Sequence, residues 1–504
     1  MNEQCIFVLK RILMNAHVWK LKHLYILIQI LKPEAHGGKR DVNRVLPANS
    51  SASVTLDQKQ LRAKTTVAAS ADFEENRIWL NGREETIETP RIQNLLKEIK
   101  QRAKETVSCD DSLLSWNVRI CSENNFPTAA GLASSAAGYA CLAYSLSQLY
   151  NVSGDISDIA RQGSGSACRS IYGGFVVWDK GELADGKDSI ARQIAPHTHW
   201  PELRVLILVV SDQKKQTGST AGMQVTMETS SLMAARLGVI DQRIEKITAA
   251  ILKKDFHTFA ELTMIESNQL HAVCLDSYPP ISYMTDVSRL IVNLVHAYNT
   301  YHGQNKVAYT FDAGPNACLY LLEEHVPMVT SLVQHFFPPI QGNKEFLTGL
   351  PVKKAKLNQE LLSTIAVPIQ PTGAIKFIIH TQPGPGPTLC SNKDSLLDNA
   401  GMPKAVVIET IDEPSTKVGD KDNQTLKNGV SLARTKVKGK GKTLKVLKSE
   451  KSVKATKKEI NLKTKHERKD KLRSGQNRVS KLGKRRGEHQ GRQAQVKRQK
   501  TSQK

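Results

Sequence analysis

Several features that would point to familiar classes are missing from this chain. The eight cysteines are scattered with no C-x-x-C pair, which argues against a zinc site or a disulfide framework and fits a reducing compartment. The apolar, basic segment at 1–34 has its longest uncharged apolar stretch at 24–31, far short of the roughly 20 residues a membrane span needs. The one long run of small residues, at 125–138, is neither a Walker A loop, which needs Gly-Lys-Ser/Thr, nor a Rossmann G-x-G-x-x-G. Acidic residues are outnumbered most heavily at the C-terminal end. The net charge is +23, but 434–504 holds 27 Lys/Arg against 5 Asp/Glu, leaving 44 against 43 in 1–433. The basicity belongs to a tail, and the rest is neutral.

The most informative stretch is NNFPTAAGLASSAAGYA at 124–140. Gly, Ala and Ser leave backbone N–H groups unshielded, so a ligand can come close. The run leads into residues suited to a helix, whose free N–H groups and positive dipole end attract phosphate oxygens. Ser134 and Ser135 add two hydroxyl donors. Small residues alone would equally serve a tightly packed helix start with no ligand.

Around this run the chain alternates recognisable elements. Segments 49–58, KTTVAASADF and RIWLNGRE read as strands, with Asn81-Gly82 marking a hairpin turn. Residues 90–104 read as an amphipathic helix, and DISDIARQGSGSACRS as another with Asp155 or Ser157 as its N-cap. After the apolar strand 203–211 come helices at 220–237, 242–252, 256–271 and 281–302, and strands at 307–311, 317–322 and 375–380. This order predicts α+β architecture with helices over one sheet face. PGPGP at 383–387 reads as the stop of the fold, followed by a linker. The tail from Arg434 lacks aromatic or large apolar periodicity and is expected to be disordered.

Three further clusters fall at predicted element ends. In GSGSACRS (163–170), Arg169 presents a fork that grips carboxylate or phosphate in bidentate fashion; capping a helix is the plain alternative. Cys168 has no evident His partner, so a thiol nucleophile is not expected. In YTFDAGPN (309–316), Asp312 follows a strand and precedes a small-residue turn, where an Asp is often only a local backbone acceptor. In LVVSDQKKQTGSTAGM (208–223), Lys214, Lys215, Thr217, Ser219 and Thr220 follow an apolar strand as a polar loop.

The 125–138 loop resembles the P-x-x-x-G-L-x-S-S-A-A loop of the GHMP small-molecule kinases. Within them, the segment 124–140 is similar to the diphosphomevalonate decarboxylase family, a likeness that runs from about 39 to about 404. The resemblance implies a two-domain α+β GHMP-kinase-like fold, with a ribosomal protein S5 domain 2-like N-terminal domain at 35–200 and a ferredoxin-like C-terminal domain at 201–400. Residues 1–34 would be an extension, 401–433 a linker and 434–504 a disordered basic tail. It implies ATP and Mg²⁺ as cofactors and (R)-5-diphosphomevalonate as substrate, decarboxylated to isopentenyl diphosphate in isoprenoid and sterol synthesis. Asp312 would be the catalytic base, Arg169 would hold the substrate carboxylate, and Ser135 would align the hydroxyl with the γ-phosphate. Gly131, Leu132, Ala133, Ser134 and Ser135 would bind ATP. His36, Gly37, Gly38, Lys39, Arg91, Ser164, Gly165, Ser166, Ala167, Cys168 and Thr220 would join Arg169 in binding substrate; Gly314 and Asn316 would shape the Asp312 loop. No metal-holding residue is assigned. Such enzymes are commonly cytoplasmic homodimers.

The likeness breaks at both ends. The family opens with P-x-N-I-A-x-x-K-Y-W-G-K, whereas the residues before Lys39 read ILKPEAHGGK, with His36 and Gly37 in the aromatic places. Segment 1–34 reads as an untidy basic helical extension, either from a different first exon or mistaken start, or marking an isoform with weakened or lost catalysis. The basic tail suits nucleic-acid phosphates, an acidic partner or nuclear import, or simply solvation. A non-catalytic, nucleic-acid-associated scaffold is therefore the rival reading.

Overall fold

The computed structural model describes residues 17–21, 25–26, 39–105, 111–126, 134–211, 213 and 216–404. Strands Ala63–Ser70 and Asn117–Asn124 form the centre of a mixed six-stranded sheet. Their β-branched and small residues are almost wholly buried, with Val67 opposite Ile120, as a strand covered on both faces requires. Arg77–Leu80 and Arg83–Glu85 complete one side through a two-residue turn. Asn81 (φ 49°) and Gly82 (φ 76°) both take the left-handed conformation that such a turn demands, as expected.

The helix Ser134–Leu149 packs along strand Ala63–Ser70. Its Ala136, Ala137, Ala140, Cys141 and Ala143 are buried with Leu142, Leu146 and Leu149. A helix apolar on every side belongs in an interior, and its small side chains let neighbours approach. Gly163 of helix Ser157–Gly163 shows how closely, since a Cβ there would lie 2.3 Å from Tyr139 Cδ1.

A four-stranded sheet (Ala191–Ala195, Phe175–Trp178, Ser51–Thr55, Tyr25–Ile26) completes this half. The other half is a five-stranded sheet in the order Val307–Phe311, Ala317–Leu322, Leu203–Val209, Phe377–Thr381, Leu347–Gly349. Helix Phe256–Leu275 packs on strand Val307–Phe311, and Trp200, Phe256, Phe259 and Tyr320 make an edge-to-face aromatic chain beneath it. The α+β expectation holds, and strands 307–311 and 317–322 and helix 90–104 fall where they were read.

Other expectations are corrected. Segment 1–34 is not helical where it is described. His17–Leu21 is a strand between Ala63–Ser70 and Thr388–Leu389, and Tyr25–Ile26 pairs with Ser51–Thr55. Ala63–Ser70 needs a partner on its second edge, and this segment supplies it. The helix read at 220–237 is two, Ser219–Thr229 and Met233–Lys253, the second also absorbing 242–252. Asp276 ends the first by accepting from Ser230 Oγ (2.8 Å) and from the Leu232 N–H (3.0 Å). The helix read from 281 starts at Asp286, where Thr285 and Ser288 form a reciprocal capping box. DISDIARQGSGSACRS likewise breaks into Ser157–Gly163 and Ala167–Ser170. Ile156 takes the N-cap position, while the Asp155 carboxylate accepts from the Ser157 N–H and hydroxyl.

PGPGP is no stop. Gly384 hydrogen-bonds the backbone of Thr55 and Gly174, and Gln58 donates to the carbonyls of Pro385 and Gly386. Leu396 and Leu397 then pack with Ala68, Trp79 and Cys121 on the six-stranded sheet. A Cβ on Gly173 would lie 2.2 Å from Gly386 N, so the two segments meet through glycine. Residues 405–504, with most of the expected linker and all of the basic tail, lie outside the described residues. No described helix is long and apolar enough to cross a membrane.

Candidate active site

Ser134 and Ser135 sit in the first turn of the buried helix Ser134–Leu149, beside a cavity of about 350 Å³. Ile78, Ile92, Ile120, Tyr139 and Leu142 give it apolar walls, and Asn81, Ser122 and Asn124 add polar groups to the lining. Gly138 also lines it, and nothing lies within 4 Å of where its Cβ would stand, so the missing side chain enlarges the space. An apolar slot with a few convergent polar groups at a helix N-terminus can hold a flat base and leave phosphates on the amides. Gly131, Leu132 and Ala133 lie outside the described residues. Burial pushes the Tyr139 hydroxyl above its usual pKa, so this wall stays neutral.

The GSGSACRS bend brings its side chains inward. Ser164, Ser166, Ala167, Cys168 and Arg169 are all buried. Arg169 has no exposed surface; its guanidinium stands 5.5 Å from the Trp178 ring centroid and Nη1 donates to Ser51 Oγ. Ser51 and Trp178 are direct cross-strand partners, so one ladder position forms the floor beneath the cation. Trp178 is fixed in turn by donating from Nε1 to Ser189 Oγ at 3.1 Å. Desolvating a guanidinium is costly unless anionic or polar partners compensate, which suits a site built for a carboxylate or phosphate. Cys168 packs with Val176, Trp178 and Ala191, as a buried small hydrophobe. Five of the six described cysteines are buried, and none of the six forms a disulfide.

Two expected substrate residues meet directly. Arg91, in the first turn of Pro90–Lys104, donates from Nη2 to Thr220 Oγ1 at 3.0 Å, and Thr220 lies in the first turn of Ser219–Thr229. The first turns of the two helices are therefore tied by one arginine side chain. Lys39 begins the short strand Lys39–Asp41, paired with Leu46–Pro47. His36, Gly37, Gly38, Lys214 and Lys215 lie outside the described residues.

Asp312 follows strand Val307–Phe311 and is only partly buried. Its Oδ1 accepts from the Ala313 N–H at 2.6 Å, and its carbonyl from the Gly314 N–H at 2.7 Å. The local-acceptor role is thus present alongside any catalytic one. Buried Asn316 staples the loop to the end of Leu203–Val209, accepting from Val210 and Ser211 N–H and donating to the Ser211 carbonyl. Behind Asp312 stand His271, Cys274 and Tyr283. Burial lowers the His271 pKa to about 4 and pushes both Cys274 and Tyr283 upward, so all three are neutral at pH 7.

Sequence reasoning assigned no site role to Ser51, Trp178, Tyr139 or the residues behind Asp312, although Ser51 lies in the family-like segment PANSS and Tyr139 in the glycine-rich run. Among the described residues no group of three His, Cys, Asp or Glu could hold a metal.

The mixed helix-and-sheet architecture, with helix Ser134–Leu149 opening beside a cavity, is of the GHMP-like class. Residues 34–191 match the diphosphomevalonate decarboxylase-like N-terminal domain, and 205–390 the mevalonate 5-diphosphate decarboxylase C-terminal domain. The diphosphomevalonate decarboxylase of Rattus norvegicus is 54% identical over 374 residues, spanning 73% of this chain and 93% of the rat protein. The solved mevalonate diphosphate decarboxylase of Trypanosoma brucei superposes with a TM-score of 0.65 at 36% identity, covering 76% of this chain and all of that one. A structure called MDDEF, in complex with MVAPP, AMPPCP and magnesium, has a TM-score of 0.58 at 29% identity over 75% of this chain and 99% of its own. The chain belongs to the diphosphomevalonate decarboxylase family.

Proposed function

We propose that this chain uses ATP and Mg²⁺ to convert (R)-5-diphosphomevalonate into isopentenyl diphosphate, ADP, phosphate and CO₂. The observation that carries this reading is the buried Arg169 on the Ser51–Trp178 pair. A desolvated fork of this kind holds a carboxylate in one orientation, which loss of CO₂ requires.

Ser134 and Ser135 line the 350 Å³ cavity at the start of a helix, which supports a nucleotide there with its phosphates on the two serines. The relative solved with AMPPCP, an ATP analogue, and magnesium supports the same pair of ligands here. Mg²⁺ keeps several waters and binds largely through substrate phosphate oxygens. When bound, Mg-ATP supplies the transferred phosphoryl group and spreads its charge.

The remaining work falls to side chains. Asp312 accepts the proton of the tertiary 3-hydroxyl as that oxygen takes the phosphoryl group, and Ser135 holds the hydroxyl in line. The oxygen then leaves as phosphate while the C–C bond to the carboxylate supplies the electrons of the new double bond. Arg169 keeps the carboxylate placed for that cleavage. Ser164, Ser166, Arg91 and Thr220 hold the diphosphate, with Lys39 at the edge. A division near residue 200 between nucleotide-binding and C-terminal halves agrees with the two family matches.

The test is a pair of variants. Asp312→Asn is expected to abolish turnover while nucleotide binding persists. Arg169→Gln should lower kcat and substrate affinity together. Full turnover in a folded Asp312→Asn protein would overturn the assignment.

A further inference from the structure

Strand Val307–Phe311 is the edge of the five-stranded sheet, with Ala317–Leu322 on one side only. Backbone groups on its open side need partners from elsewhere. Side chains supply them at both ends. At the start, Asn299 accepts from the Val307 N–H at 3.0 Å and donates to its carbonyl at 2.8 Å. At the finish, the Phe311 N–H donates to Ser267 Oγ at 3.1 Å, and the Phe311 carbonyl accepts from His271 Nε2 at 3.3 Å.

Ser267 and His271 are one helical turn apart on Phe256–Leu275, so they face the strand together. Both are buried, and the His271 and Phe311 rings meet edge to face at 6.3 Å. The Phe311 carbonyl belongs to the peptide that joins it to Asp312. The orientation of that peptide sets where the Asp312 carboxylate points, while the far side of the loop is held by Asn316. Asp312 is therefore gripped from both directions, and one grip comes from a helix that carries none of the proposed substrate ligands.

We infer that Ser267 and His271 are positioning residues for Asp312, acting through the Phe311 backbone to aim its carboxylate at the reacting hydroxyl. The inference rests on the proposed role of Asp312. His271 serves as a neutral donor, so its Nδ1 carries no proton. Removing either clamp leaves binding groups untouched but loosens the angle of the base, and small misplacements of a catalytic group are expensive in rate.

The experiment compares full-length wild-type, Ser267→Ala, His271→Phe, His271→Gln and Asp312→Asn proteins in steady-state assays, with melting temperatures alongside. His271→Phe keeps the ring and loses the donor; its kcat is expected to fall about tenfold with KM within about twofold. His271→Gln restores an N–H donor and should recover most of that loss. Ser267→Ala, the milder change, decides the matter if His271→Phe does not fold, and it should lower kcat about threefold at unchanged KM. Unchanged kcat in both, or kcat losses that follow melting temperature and that Gln does not rescue, would overturn the inference. Asp312→Asn separates the two readings. If it is inactive while the clamp variants behave as wild type, only the clamp fails; if it is fully active, the role of Asp312 fails first.

Discussion

The hydrogen bond from Arg91 Nη2 to Thr220 Oγ1, 3.0 Å long, links the first turns of two helices from the two family-matched halves of the chain. It ties the angle of an arginine fork to the position of the second half. Thr220→Val keeps the shape and removes the acceptor. The expected outcome is a KM for diphosphomevalonate raised about three- to tenfold with kcat changed less, because an exposed hydrogen bond of this kind is worth roughly 0.5–1.5 kcal/mol. Steady-state kinetics with varied substrate checks it; a normal KM would show that Arg91 is aimed without Thr220.

Acid stability should carry the mark of His271. Its folded pKa, about 4, lies below the ordinary His value of 6.5 because of burial, with Arg236 pushing the same way and Asp312 opposing. Below pH 6.5 the unfolded chain binds a proton that the folded one refuses. The native state is therefore fully favoured above 6.5 and loses about 3 kcal/mol as pH falls toward 4. Between pH 7 and 4 the stability of wild type relative to His271→Gln, read from denaturation midpoints, should fall by about 3 kcal/mol. Parallel curves would contradict the neutral, buried histidine.

Gly173 and the PGPGP segment touch backbone to backbone. A Cβ at Gly173 would meet Gly386 N at 2.2 Å and the Pro385 backbone within 3 Å. Gly173→Ala should destabilise the folded chain by about 2–4 kcal/mol, read as a lower urea midpoint. Wild-type stability would mean that residues 383–387 are peripheral to the fold.

The N-terminal segment offers a sharper case. His17–Leu21 occupies the place beside Ala63–Ser70, but it brings neither the Asn nor the Tyr-Trp pair of the family's opening motif. Replacing 17–39 with a segment that ends in P-x-N-I-A-x-x-K-Y-W-G-K should raise kcat/KM at least about tenfold. Equal turnover of the two purified proteins would refute that expectation.

Much of the fold was legible because its signals are local. Pro90 at the first turn marks helix Pro90–Lys104, the Asn81-Gly82 pair marks a hairpin, and apolar runs mark the strands around Asp312. What was misread depends on partners far along the chain. The helix break at Ser230 is made by Asp276, 46 residues on, and PGPGP looks like punctuation until Gly173 lies against it. The site divides the same way. Arg169 stood out within GSGSACRS, but Ser51, 118 residues earlier, has nothing local to mark it as the partner. His271 reads as one more core residue of a helix, since only the open edge of Val307–Phe311 gives it a task.

The most direct measurement follows diphosphomevalonate labelled at its carboxylate carbon, incubated with the full-length protein and Mg-ATP. One labelled CO₂ should appear for each ADP, and both should vanish in Asp312→Asn. ADP formed without labelled CO₂ would make this chain a kinase without the decarboxylation step, and no ATP-dependent turnover at all would contradict the account.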